Sequence, residues 1–190
     1  MGDEGAAGRR RLVVEARDAA SPEIGRWLWV LEDTRRETAD ALAGITPAAL
    51  DWTGAGAGES NSIGSLLYHI AVIEADWLYV EVLERPVPEE IQTLFPLEAR
   101  DDRGHLSRLH GRDLAAYARV LDATRAALLA AFRPMAPDDF HRARRLPDYD
   151  VTPAWVLHHL VQHEAEHRGQ LMVMRERAEA ALAGGGTRGA

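Results

Sequence analysis

The chain has 190 residues, 46% of them apolar and 27% charged, with a formal net charge of −8. That length suits a single domain with a substantial core, and the acidic balance disfavours a nucleic-acid partner, which normally meets a basic face. With no cysteine in the sequence, disulfides, thiolate ligands and cysteine nucleophiles are excluded, so any metal must be held by histidine and carboxylate.

The N-terminal stretch MGDEGAAGRRRLVVEARDAA carries arginines but no apolar h-region, because Glu15 and Arg17 break up the short LVV run. No run approaches the roughly 18 apolar residues that span a bilayer. The expectation is a cytoplasmic protein without a membrane partner. Residues 1–20 read as an extension, 21–183 as the domain and 184–190 as a flexible tail.

Four long helical segments follow one another, with no sheet pattern among them. The first opens at Ser21-Pro22, an N-cap and a proline at the first helical position. It repeats Ile24, Leu28, Leu31 and Leu42 at helical spacing until Gly44. The second runs from Asn61-Ser62 to Pro86, with Ile63, Leu66, Leu67, Ile70, Ile73 and Trp77 as its buried stripe. In the third, Leu114, Tyr117, Leu121, Thr124, Leu128 and Phe132 recur regularly before Pro134 stops the pattern. The fourth begins at Thr152-Pro153 and continues to the glycines at 184–186. Four amphipathic helices bury their stripes best against one another, which predicts an all-α four-helix bundle. The connections, roughly 45–60, 86–105 and 134–151, are long for a bundle and suit crossovers or site walls. The basic cluster Arg142, Arg144 and Arg145 in the last of them reads as solvated charge.

HEAEH at 163–167 satisfies H-E-x-x-H, the pattern in which two helical histidines hold zinc and a glutamate activates water. At about 100° per residue, His163 and His167 both point into the apolar stripe with Val156, Leu160, Leu171 and Met174. His159 sits at the edge of that stripe and His158 faces away. Spacing permits His159/His163 or His163/His167 as a chelating pair; facing favours the second. Two unpaired imidazoles in a core would leave nitrogens unsatisfied, whereas an ion shared between them needs at least one more ligand. His69 on the second helix is the best candidate, and Asp76 lies on the same side, able to orient a ligand or hold a water. His105, His110 and His141 lie in or near connections and read as non-ligands.

A zincin protease would need a third ligand downstream and an edge strand for its peptide. Only 23 residues follow His167, none of them histidine, and Glu176 and Glu179 are carried away along the same helix. The protease reading fails on geometry. Glu164 lies toward the apolar side, about 60° beyond His167, and keeps a water-activating role open.

The stretches NSIGSLLYHIA at 61–71, TPAWVLHHLVQHEAEHRGQL at 152–171 and ITPAALDW at 45–52 resemble the DinB-like (YfiT-like) superfamily over roughly residues 21–180. The resemblance implies an up-down-down-up four-helix bundle in which 86–105 is the crossover. It implies a divalent metal held by three histidines that map onto His69, His163 and His167, and a homodimer. His159 matches a histidine of the motif without being carried over as a ligand. Three neutral imidazoles leave coordination positions open, as catalytic sites do. Zinc is the first choice, with nickel, iron or manganese as alternatives. Characterised chemistry in this superfamily uses low-molecular-weight thiols such as mycothiol or bacillithiol. The implied function is therefore a thiol S-transferase acting on a small-molecule substrate. The alternatives are a metal-dependent hydrolase and a non-catalytic metal-binding or structural bundle. Gln170, one turn beyond His167, is placed to hydrogen-bond a ligand in the site, and Arg168 points away, toward a surface or inter-helix pairing role.

Overall fold

The computed structural model describes residues 11–54 and 61–185; most of the tail, the first ten residues of the extension and part of the first connection lie outside them. Four long helices dominate: α1 (Pro22–Leu42), α3 (Ile63–Asp76), α5 (Leu114–Phe132) and α7 (Pro153–Gly185). Short helices interrupt the connections: α2 (Pro47–Asp51), α4 (Glu89–Gln92) and α6 (Pro137–His141).

Each long helix starts on a side chain that satisfies an otherwise orphaned backbone N–H. Ser21 accepts from Ile24 at 3.3 Å, Asp113 from Ala116 at 2.8 Å and Thr152 from Trp155 at 3.2 Å. On α3, Ser62 and Ser65 cap each other reciprocally, at 2.8 and 3.0 Å. The helix ends are equally local in origin. Gly44, at φ 74°, turns the chain after α1 in a conformation that costs glycine nothing.

The second helix is longer than its α-helical part. Beyond Asp76 it continues as one π-helical turn, Trp77–Val82, and ends where Glu84 adopts φ 51° ahead of Pro86. The segment Ile63–Val82 is long and apolar enough to cross a bilayer by length and composition, yet 72% of its most apolar window is buried inside the protein. From Ile63 to Ala71 every residue is buried, the mark of a helix surrounded by others rather than lying on a surface. Gly64 is one reason it sits so close to α5: a Cβ there would overlap the Tyr117 hydroxyl, which Leu109 O holds at 2.7 Å.

A small sheet, which the sequence pattern does not reveal, lies in the connection before α7. Strands β1 (Arg144–Arg145) and β2 (Asp150–Val151) pair antiparallel, Arg144 opposite Val151. Two residues per strand are too few to show alternation. Nor is Arg144 solvated: it is 2% exposed and donates to the carbonyls of Val82 at 3.1 Å, Asp139 at 2.9 Å and Arg142 at 2.8 Å. It fastens the hairpin to the end of the π-turn.

Helix α1 packs chiefly on α7, and α3 on α5 and α7. Their apolar faces form two clusters. One gathers Leu28, Leu31, Leu78, Leu128, Phe132 and Leu160, the other Leu42, Leu66, Ile70, Leu121 and Leu171. Along every long helix, one charged residue stands between the two.

Those four residues are Arg35 on α1, Glu74 on α3, Arg125 on α5 and Glu164 on α7. Arg35 donates from Nε to Glu164 Oε1 at 2.8 Å and from Nη2 to Glu74 Oε2 at 3.0 Å. Arg125 donates from Nη2 to Glu74 Oε2 at 2.7 Å and to Glu164 Oε2 at 2.9 Å. Arg125 Nε also donates to Glu74, at 3.1 and 3.2 Å, and the two Nη1 atoms reach backbone: Arg35 Nη1 to Leu121 O at 2.7 Å, and Arg125 Nη1 to Leu31 O. Two cations and two anions cancel, and each charge carries hydrogen bonds as well as a partner. That is the condition under which buried ion pairs are tolerated.

Candidate metal centre

His69 stands one turn and a residue before Glu74 on α3, and His163 and His167 flank Glu164 on α7, so the charged layer positions the histidines. Nε2 of His163 lies 3.2 Å from Nε2 of His69 and 3.1 Å from Nε2 of His167. One ligand atom from each of the three lies within 4.8 Å of the others. Nitrogens bound to one tetrahedral zinc at about 2.0–2.1 Å would lie about 3.3 Å apart. Donor set and spacing therefore suit a divalent ion.

Without an ion the cluster is hard to explain. A neutral imidazole has one N–H and one lone pair, and three Nε2 atoms facing one another cannot all be satisfied by mutual hydrogen bonds. Nδ1 of His69 points out of the cluster's Nε2 contacts and is buried with no hydrogen-bond partner among the described residues. At His167 the outer nitrogen is engaged: Nδ1 lies 3.2 Å from Gln170 Oε1. With the proton on Nδ1 this contact is a hydrogen bond to the amide oxygen and the Nε2 lone pair faces the cluster, the tautomer that a ligand requires.

The electrostatics keep His69 and His163 neutral. Burial first, then the neighbouring His167 and the Arg100 guanidinium, lower the pKa of His69 to about 4. Burial, followed by His167, His69 and His159, brings His163 to about 3. In the chelator-treated protein these groups stay uncharged on folding, whereas the unfolded chain takes up protons near the ordinary value of 6.5. Stability thus falls as pH drops below about 6.5 and continues to fall to about 4 and 3. Urea midpoints measured across that range test this; a flat profile would contradict it.

The other residues singled out from sequence take different places. Glu164 is no free base: it is 2% exposed with both oxygens bound to arginines. Burial alone would raise its pKa, but Arg35 and Arg125 lower it. Arg168 does pair between helices, with Glu37 of α1 at 3.0 Å. His159 stacks on Trp155, ring centroids 5.1 Å apart and planes within 8°, and its ring is 5.8 Å from that of His163. Asp76 is exposed, and desolvation raises its pKa. His141 meets Glu23 at 3.2 Å, far from the cluster in the fold.

Sequence reasoning missed Arg35, Glu74 and Arg125. The signal was present: each follows a buried stripe residue by four, Arg35 after Leu31, Glu74 after Ile70 and Arg125 after Leu121, as Glu164 follows Leu160. A charge at a core position on all four helices calls for mutual neutralisation.

A mostly helical protein with three imidazoles converging from two helices belongs to the class of helical proteins with a histidine-only centre able to hold a metal. The family model of the DinB superfamily matches residues 30–171, and the chain belongs to that superfamily, which is metal-binding. No curated protein matches the chain.

Proposed function

We propose that the protein is a metal-dependent thiol S-transferase in which His69, His163 and His167 hold one divalent ion, zinc as first choice. The convergence of three imidazoles, with Nε2 of His163 at 3.2 Å from that of His69 and 3.1 Å from that of His167, carries the reading. An ion bound there supplies Lewis acidity that lowers the pKa of an incoming thiol. The chain's own residues do the rest. The three imidazoles leave part of the coordination shell open, Gln170 fixes the tautomer of His167, and the positive charge of Arg100 bears on His69, favouring an anionic sulfur. In the transfer, the thiol gives up its proton to solvent water, sulfur forms a bond to an electrophilic carbon, and the leaving group departs from that carbon with its electron pair.

A transferase of this kind needs no protein nucleophile, which accords with a chain that has no cysteine. The hydrolase reading is weaker because Glu164, the carboxylate best spaced to take a proton from water, is committed to Arg35 and Arg125. The order in which the helices meet the two apolar clusters supports an up-down-down-up bundle. Helices α1 and α7 pass from the first cluster to the second, α3 and α5 from the second to the first. The reading extends to a homodimer in the cytoplasm.

The test mixes untagged, zinc-loaded protein with monochlorobimane and a panel of low-molecular-weight thiols. Conjugate should form with one thiol well above the spontaneous rate, and chelation should abolish the excess. Product formation that is indifferent to thiol would exclude the transferase.

A further inference from the structure

Beside His159 lies a cavity of about 570 Å³ lined by Trp77, Tyr149, Asp150, Val151, Thr152 and Trp155. Its walls are aromatic: the Trp77 ring centroid is 5.5 Å from that of Trp155 and 6.3 Å from that of Tyr149. Two of these large side chains stay open to solvent, Trp155 at 47% and Tyr149 at 46% exposure, although the core could bury such surface with gain. Trp77 comes from the π-helical turn, Tyr149 and Asp150 from the hairpin and Trp155 from the first turn of α7, so three separate elements assemble one aromatic box.

Behind the wall is a buried carboxyl group. Glu81 is 7% exposed; its Oε1 accepts from the Tyr149 hydroxyl at 3.1 Å, and its Oε2 is buried with no hydrogen-bond partner. A buried carboxylate ordinarily has a cation or several donors. Among the described residues the charge that bears on Glu81 is that of a second carboxylate, Asp76, and burial followed by that repulsion raises its pKa. Asp76 and Asp148 also bear on Tyr149. Aromatic faces present negative electrostatic potential, and carboxylates behind them deepen it. Such a box attracts ammonium groups.

We propose that this cavity is a subsite for a cationic nitrogen, an ammonium or quaternary ammonium group, carried by the substrate of the histidine centre. Trp77, Trp155 and Tyr149 form its walls, and Glu81 supplies the charge one hydrogen bond behind them. His159 joins the two sites, its ring 4.6 Å from Trp77 and 5.8 Å from His163. The subsite deepens the transferase reading and rests on it for what becomes of the ligand; binding of the cation itself needs no metal.

The test therefore uses the full chain stripped of metal. Choline and its uncharged isostere 3,3-dimethylbutan-1-ol are titrated while the five indole N–H signals are followed by NMR. Choline should shift Trp77 and Trp155 and bind about tenfold more tightly than the isostere. Glu81→Gln should bring the two ligands to within about threefold of each other. Trp155→Ala, at a position open to solvent, should lose choline binding and keep its helical circular dichroism; Tyr149→Phe, which removes only the hydroxyl contact to Glu81, should weaken choline alone. Equal affinity for the two ligands, shifts confined to Trp27, Trp29 or Trp52, or unchanged binding by Trp155→Ala would each overturn the subsite. Because no ion is present, that failure leaves the metal centre untouched, just as a failed metal titration leaves the cation result standing.

Discussion

Replacing Arg125 by methionine should destabilise the protein by about 3–5 kcal/mol, read as a large drop in the urea midpoint at neutral pH. The guanidinium is 5% exposed, touches both carboxylates of the charged layer and reaches the carbonyl of Leu31. Burial disfavours its charge, but Glu74 and Glu164 more than offset this and raise its pKa. Methionine conserves much of the volume, so the loss is electrostatic. It leaves two buried carboxylates to share Arg35 and strips Glu74 of most of its hydrogen bonds. Adding Glu74→Gln to the Arg125→Met variant restores neutrality and should recover part of the loss, a coupling that a double-mutant cycle measures. A cost under about 1 kcal/mol, the range of solvent-exposed pairs, would refute the role given to this layer.

His163→Ala should reduce metal affinity by more than the roughly 10–100-fold that removal of a group outside the ligand set costs. Its Nε2 stands between those of His69 and His167, so its loss leaves two donors on different helices with the middle position empty. The variant is informative in a second way. Having lost the imidazole whose pKa is lowered to about 3, its metal-free form should lose less stability on acidification than wild type. Comparison variants decide which pair on α7 chelates. His167→Ala should match His163→Ala, whereas His159→Ala, whose ring is stacked on Trp155, should retain its metal. Metal analysis of untagged protein, with equilibrium titration against a chelator of known affinity, reads all three. Equal metal content across the set would remove the centre.

The four long helices were legible because their caps and stripes are local: Ser21, Ser62 and Thr152 mark starts, and leucines at helical spacing mark faces. The meeting of His69 with His163 and His167 was legible for the same reason, since inward-facing histidines on core helices have few places to go. What was not legible needed three dimensions. Glu164 lies at an angle that a general base could also have, and only the approach of Arg35 and Arg125 from two other helices fixes its part. Arg144 looks like surface charge within a basic cluster until the chain folds back and places three carbonyls around it. The π-turn gives no compositional sign, because it is one widened turn within a continuous apolar segment, and the aromatic box depends on it for Trp77.

The charged layer also governs how the histidine site can move. His69 is five residues from Glu74, His163 and His167 adjoin or nearly adjoin Glu164, and these two carboxylates are held by the same two arginines. Both helices that would grip an ion are thus clamped to each other beside it, and α7 runs unbroken for 33 residues with no joint at which to bend. Separating α3 from α7 at the centre would therefore have to break the ion pairs that Glu74 and Glu164 share through Arg35 and Arg125, so the same four charges that hold the bundle together also hold the histidines at their spacing.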